Sequence, residues 1–390
     1  MELVVLDVKS SSDDSTLKIL WRYQGQDFPA YFVDRKPIIN AGNEIRSTLK
    51  TLVQDALVHN VMNEIPRCGS ILKELAEKGW TLYRRLFLND VTGIPKKVQD
   101  WLKELGQTQQ TIQLKVIVDN RIHIPWGLIY DKDPSSLSGN PAETAFELFK
   151  NFWCIKLALS CLHKRILPYL NDRKDPNLFR VLPVFNKTCF NEALAHLSEE
   201  EKVVATSVLK VFESPVHTKT ELLSQWQTIR ASLGILFFYC HANQTRLALG
   251  QDELDIDEFR TELRHADWSL KGPTSFAFLN GCSTAVGDPG GGFLEATGGP
   301  GFCGFIGTET EIPDLFALRF SLAFMYDFFY EGMSVFETIA HLRKQHWPIS
   351  LLYSNYCDSR LCVEKLGAQQ AIADILNRNF STLPVGSKIY

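Results

Sequence analysis

The chain lacks the motifs that most directly announce a function. Its nine cysteines include no Cys-x-x-Cys pair, which excludes the common structural zinc frameworks. No Gly-Lys-Ser/Thr follows its glycine-rich stretch, and no GxGxxG opens a helix directly after a strand, so the usual phosphate cradles are missing. Basic charge is not in excess. With 41 Lys and Arg against 45 Asp and Glu, the net charge is -4, which offers no electrostatic reason to bind nucleic acid or an anionic membrane. The most apolar helical stretch, residues 315–330, contains Arg319 and Asp327 and is too short to cross a bilayer. The first residues carry an early acid, Glu2, and no basic segment, unlike a secretory signal. There is no repeat with a period of 20 to 50 residues and no low-complexity tract. An odd number of scattered cysteines in a chain of this size points to reduced thiols, hence a cytoplasmic protein.

What is present is an ordinary globular composition, 45% hydrophobic over 390 residues, enough for two or three domains. Residues 1–33 alternate and turn like a hairpin with a third strand. Asn43 is placed to cap a helix running to about residue 62, and a second helix covers about 71–86. Residues 112–118 form a strand, and Pro125 bars a central strand beyond it. The charged stretch 171–176, ending in Pro176, marks a boundary, giving domains 1–172 and 173–390. After it, strand and helix patterns alternate: a strand at 178–185, helices from 198 and over 219–230, then strands ending at His241 and Cys282 with a helix at 256–264 between them. A strand at 304–307, helices at 315–330 and 335–346, a late strand at 351–353 and a helix at 364–377 complete the pattern. This rhythm predicts a mostly parallel sheet with helices on both faces.

The chemistry concentrates at two strand ends. An apolar run through Phe237, Phe238 and Tyr239 stops at His241, and another through Phe276 and Phe278 stops at Cys282. Carboxyl ends of strands in open α/β sheets line the active crevice. A thiol beside an imidazole there is a nucleophile with its base: thiolate attacks a carbonyl, and imidazolium protonates the leaving amine. The Cys282 N–H is a candidate oxyanion donor, and Gly281 removes a side chain where substrate backbone must approach. Alternation puts Cys240 on the opposite strand face, as core. Cys303 reads as packing. His123, His265, His341 and His346 have no chemical partner in the sequence and read as structural or surface residues. The eight glycines of residues 287–304 read as a flexible loop shaping a cleft.

Taken in order, these blocks resemble the CHAT-domain family, a branch of the caspase-like cysteine peptidases that includes separase-type enzymes. The resemblance runs through Gly79, Trp80 and Tyr83; Pro125, Trp126, Gly127 and Asp131; Tyr239, Cys240, His241 and Ala242; Asn280, Gly281, Cys282 and Ser283; and Gly304, Phe305, Gly307 and Glu309. It implies a caspase-like α/β sheet with a His241–Cys282 catalytic dyad and a degenerate, non-catalytic caspase-like half before about residue 172. Many members carry Gly after the histidine, where this chain has Ala242, whose N–H is retained for the oxyanion. The resemblance places the pocket for the residue before the scissile bond near Asp288, Glu309, Glu311 and Asp314, where a carboxylate favours Arg or Lys. It further implies limited cutting of a specific protein, such as a gasdermin-like pore former or a neighbouring-gene product, in bacterial defence or cell death, under a separate activating sensor. Cys–His chemistry calls for no cofactor and no metal. The alternative in a different class is a catalytically silent scaffold that binds protein partners through the same cleft. A third is a thioester hydrolase or acyl-transfer enzyme acting on a small substrate.

Overall fold

The computed structural model describes residues 2–23, 25–59, 65–88, 98–100, 102–104, 112–119, 122–137, 139, 141–163, 175, 179–230, 232–263, 275–287, 291–297, 302–345, 348–358, 360–367 and 370–379. The expected boundary at 171–176 lies almost wholly outside them, as do His265 and His346. The chain forms two compact units, Met1–Leu52 with Glu64–Lys164, and Val53–Asn63 with Arg165–Tyr390.

In the first unit, β1 (Glu2–Ser10) and β2 (Thr16–Tyr23) make the expected hairpin, with β3 (Gln26–Asp27) and β4 (Tyr31–Asp34) pairing antiparallel to β2. On the other side β1 runs parallel to β5 (Ile112–Val118), and β5 parallel to β6 (Ala158–His163). Val4, Leu6 and Val8 are buried in register with Leu114, Val116 and Val118, the alternation of a sheet covered on that face. The first helix departs from the sequence reading. It spans Arg35–His59 (α1), so Asn43 lies inside it rather than at its cap. Pro37 occupies the third helical position, where a missing N–H costs nothing because first-turn N–H groups have no intrahelical acceptor. Gly42 is tolerated because it lets the helix approach Pro125: a Cβ there would sit 3.0 Å from the proline Cδ. The helix α2 (Ile65–Phe87) carries Gly79, where a Cβ would come within 2.5 Å of the Leu128 carbonyl oxygen. Two of the blocks that carry the family resemblance thus pack on each other. Helices α3 (Pro141–Phe149) and α4 (Trp153–Lys156) complete the unit.

The second unit holds a five-stranded sheet in the order β14-β13-β12-β8-β7. The strands β7 (Arg180–Phe185), β8 (Leu233–Tyr239), β12 (Ser275–Asn280) and β13 (Phe302–Thr308) are parallel, and β14 (Tyr353–Cys357) is antiparallel to β13. The expected α/β class with a mostly parallel sheet is what the chain adopts. The strands between α5 (Lys187–Ala195), α6 (Glu199–Val208), α7 (Lys219–Ile229) and α8 (Ile256–Glu262) read as unbroken apolar runs because both faces are covered. On one face Phe276 and Phe278 meet Phe324 of α10 (Asp314–Phe329). On the other, Phe238 and Phe302 meet Phe259 of α8. A smaller sheet of β9 (His241–Ala242), β10 (Arg246–Leu249) and β11 (Asp252–Asp255) follows β8.

Three local expectations shift. Residues 293–296 are a short buried helix, α9, rather than loop, because Phe293 inserts against Phe259 of α8. The late strand starts at Tyr353, since Pro348 heads a tight turn through Leu352. The last helix, α12 (Gln370–Asn379), begins later than residue 364.

His341, on α11 (Val335–Gln345), is not without a partner. Its Nδ1 lies 2.7 Å from Asp327 of α10. The hydrogen bond to Asp327 raises the His341 pKa above 6.5, outweighing burial, while burial raises that of Asp327. A histidine whose folded pKa is raised stabilises the fold below its unfolded pKa, and that contribution fades as pH rises through the folded value. We expect an NMR titration to place His341 above 6.5. Asp327→Asn should lower it, because burial and Lys344 are then opposed only by Glu331. An unchanged value in the variant would rule out the pairing.

Candidate functional site

Strand register delivers the two candidate residues to one place. Asn280 of β12 pairs with Tyr239 of the adjacent parallel β8, so Cys282 and His241 each lie two residues beyond a matched pair. Both border one cavity of about 20 Å³, and Cys282 is 6% exposed while His241 is half-buried. The pocket is open to solvent, with water-accessible space for about one water.

The turn after β12 is clamped on several sides. Ser283 N–H donates to Thr310 O at 3.0 Å and Ala285 N–H to Thr308 O at 2.8 Å. The Thr308 hydroxyl donates to Gly281 O at 2.5 Å, and the Thr284 hydroxyl to Leu279 O at 3.0 Å. Ser283 sits at φ 56°, a left-handed conformation unusual for a residue with a side chain. Such backbone strain persists only where the surroundings hold it, as this clamp does directly after Cys282. Asn280 anchors the strand end from below. Its Nδ2 donates to Ala317 O at 2.8 Å and to Ser321 Oγ at 2.6 Å, and its Oδ1 accepts from the Tyr353 hydroxyl at 2.5 Å. Asn280 therefore ties the Cys282 turn to α10 and β14 rather than to the histidine strand.

Gly281 has a different reason for being glycine than substrate approach. A Cβ there would lie 2.6 Å from the Ala242 Cβ and 2.7 Å from the Cys240 carbonyl oxygen. The residue lets the histidine strand close on the cysteine turn, and the Ala242 methyl occupies the space. Gly281→Ala should therefore overpack this contact by about 1–3 kcal/mol. A thermal melt and a Cys282 alkylation rate measured together check it, and an unchanged melt would mean the contact is loose.

The Ala242 N–H is directed usefully. Asn243 N–H donates to Arg246 O at 3.0 Å, which makes that facing pair a bonded one. The next pair, Ala242 with Leu247, is then the non-bonded kind, so the Ala242 N–H faces away from β10. The Ala242 nitrogen lies close to Gly281, whose hypothetical Cβ would be 3.5 Å from it. The Ser283 N–H, by contrast, is committed to Thr310.

Burial lowers the His241 pKa, and Glu192 on α5 acts in the opposite direction. A lowered value keeps the imidazole neutral near pH 7, the form a general base requires. The cavity wall also includes Asp314, Tyr239 and Cys189. The Tyr239 hydroxyl donates to Asp314 O at 2.7 Å, and Asp314 Oδ1 accepts the Leu315 N–H at 2.7 Å from the first position of α10, whose N-cap is Pro313. Glu309 is 1% exposed, with Oε1 accepting from Ser354 Oγ at 2.6 Å and from the Tyr356 hydroxyl at 3.0 Å. Asp288 lies outside the described residues.

Cys240 is buried in the core as expected, but not on a face opposite the pocket. Strand β8 ends at Tyr239, so alternation does not continue through residue 240, and Cys240 borders the cavity as well. Cys189 was not legible as a site residue at all. It sits in the first turn of α5, after β7, and arrives because Phe185 pairs with Tyr239. Among the described residues no group of three or more His, Cys, Asp or Glu could hold a metal ion, and no helix is long and apolar enough to cross a membrane.

The fold and this geometry define an α/β protein with a thiol and an imidazole at neighbouring ends of parallel strands. No family model matches the chain, and no curated protein matches it. Among solved structures it is similar to separase in the Saccharomyces cerevisiae separase–securin complex, with 11% sequence identity and a TM-score of 0.43. That match covers 90% of this chain and 29% of the separase chain, so this chain spans under a third of its neighbour's length.

Proposed function

We propose that the protein is a cysteine endopeptidase that makes limited cuts in a specific protein partner. The observation that carries the reading is the shared cavity of Cys282 and His241 at matched ends of β8 and β12. Neutral His241 takes the Cys282 proton, and the sulfur attacks the scissile carbonyl carbon. The negative oxygen that forms is stabilised by backbone N–H donors, the candidates being Ala242 and Cys282. The imidazolium, favoured by Glu192, returns its proton to the leaving amine, and water then releases the acyl group from the sulfur.

The pocket is small and open to solvent, with water-accessible space for about one water. This suits a resting enzyme whose cleft opens on activation by a separate sensor, the regulation expected of a defence or cell-death effector. A gasdermin-like protein or a neighbouring-gene product remains the substrate class of choice. For the residue before the cut, Asp314 is the better placed carboxylate, since Glu309 is occupied by Ser354 and Tyr356. The small cavity also favours a second reading, a silent scaffold that binds partners without cutting them.

Sequencing of new N-termini after incubation with candidate partners and activators separates the two. The expected result is cleavage after Arg or Lys, weakened for basic sites by Asp314→Asn. Intact partners under every activating condition, with Cys282 unlabelled by an electrophilic thiol reagent, would establish the scaffold.

A further inference from the structure

Three thiols converge on the cavity that holds His241. Cys189, Cys240 and Cys282 all border it, from α5, from the end of β8 and from the turn after β12. Electrostatic influence runs from both Cys189 and Cys282 onto Cys240, and the His241 backbone N–H acts on the Cys189 thiol. A peptidase needs one of these sulfurs. We propose that Cys189 makes the site a peroxide-responsive thiol trap, in which oxidised Cys282 is captured as a disulfide with Cys189.

The proposal rests on the reading of Cys282 as a reactive thiol. The pocket is open to solvent and has water-accessible space for about one water, so hydrogen peroxide, little larger than water, fits it. The Cys282 thiolate attacks one peroxide oxygen. An S–O bond forms, the O–O bond breaks, and hydroxide leaves and is protonated to water. The sulfur of Cys282 is oxidised by two electrons and the peroxide reduced. The second thiol, giving up its proton, then attacks the Cys282 sulfur; the S–S bond forms, the S–O bond breaks, and the oxygen departs as water. A dithiol reductant returns both residues to thiols by two exchange steps.

Cys189 is the better second thiol for three reasons. It lies in the first turn of α5, a helix end that favours thiolate. Burial pushes its pKa up to about 11, less than the fully buried Cys240, which is raised further. It also belongs to a helix, whereas Cys240 is fixed between two strand ends. The titratable groups lining the pocket with Cys282 are His241, Asp314, Tyr239 and the two other thiols; Tyr353 interacts electrostatically with Cys282, and Glu192 with His241. Together they leave the neighbouring base available to the first step.

The test uses the full chain. It is treated with hydrogen peroxide, blocked with N-ethylmaleimide, and mapped by mass spectrometry with and without dithiothreitol. The expected product is a Cys189–Cys282 linked peptide that dithiothreitol reverses and that Cys240→Ser retains. Cys189→Ser should instead accumulate sulfinic acid at Cys282. Iodoacetamide labelling in parallel reports Cys282 reactivity by itself. Labelling of Cys282 with no Cys189 link under saturating peroxide overturns the trap while leaving the peptidase reading intact. Failure of Cys282 either to label or to oxidise overturns both.

Discussion

Cys282→Ala is expected to abolish partner cleavage, and His241→Ala to lower kcat/KM by about a thousandfold or more, because nucleophile and base act as one unit. The double variant should be no worse than Cys282→Ala alone. That non-additivity is the informative part. A thiol that merely packed the cavity would, on truncation, cost a little stability and leave turnover intact. The clamp around residues 281–285 is held by hydrogen bonds of Thr284, Thr308 and Thr310, none of which uses the Cys282 sulfur. Both variants should therefore fold, and near-parent melting temperatures are the control. Full turnover by either variant would end the dyad assignment.

The second large effect concerns stability. Arg319 of α10 and Glu201 of α6 form an ion pair that is 7% and 5% exposed. Arg319 Nη2 donates to Glu201 Oε2 at 3.1 Å, while Nε faces Oε1 at 2.7 Å as an ion-pair contact without hydrogen-bond alignment. Glu201 Oε2 also accepts the Ser198 N–H at 2.8 Å, closing the capping box of α6. Arg319→Ala leaves a carboxylate buried without its counter-charge, and removing one member of such a pair costs about 3–5 kcal/mol. Arg319→Met paired with Glu201→Leu should cost far less, since both charges go together. Urea unfolding of the single and double variants decides it. Equal losses in the two would mean that the pair contributes shape rather than charge.

Much of this was legible in the residues. Apolar runs ending at His241 and Cys282 gave the parallel strands, because strands buried on both faces cannot hide that pattern. The start of α6 near residue 198 was readable as well, and there Ser198 and Glu201 close a capping box, which is local chemistry. What escaped was non-local. The His341–Asp327 pair depends on which faces of α10 and α11 meet, and Cys189 reaches the cavity only through the pairing of β7 with β8. Gly281 was readable as a close-approach position, but not that the approaching backbone is the chain's own. The early start of α1 was obscured by Pro37, which looks like a break until its first-turn position is known.

The whole account depends on an imidazole that makes a particular sulfur reactive. Alkylation of individual cysteines by iodoacetamide at pH 7, followed peptide by peptide, measures this without any substrate. Cys282 should react faster than Cys189 and Cys240, and His241→Ala should slow it by about tenfold or more, one tenfold step being about 1.4 kcal/mol of activation free energy. A Cys282 that reacts no faster than its neighbours, or at the same rate in the parent and in His241→Ala, would contradict the account.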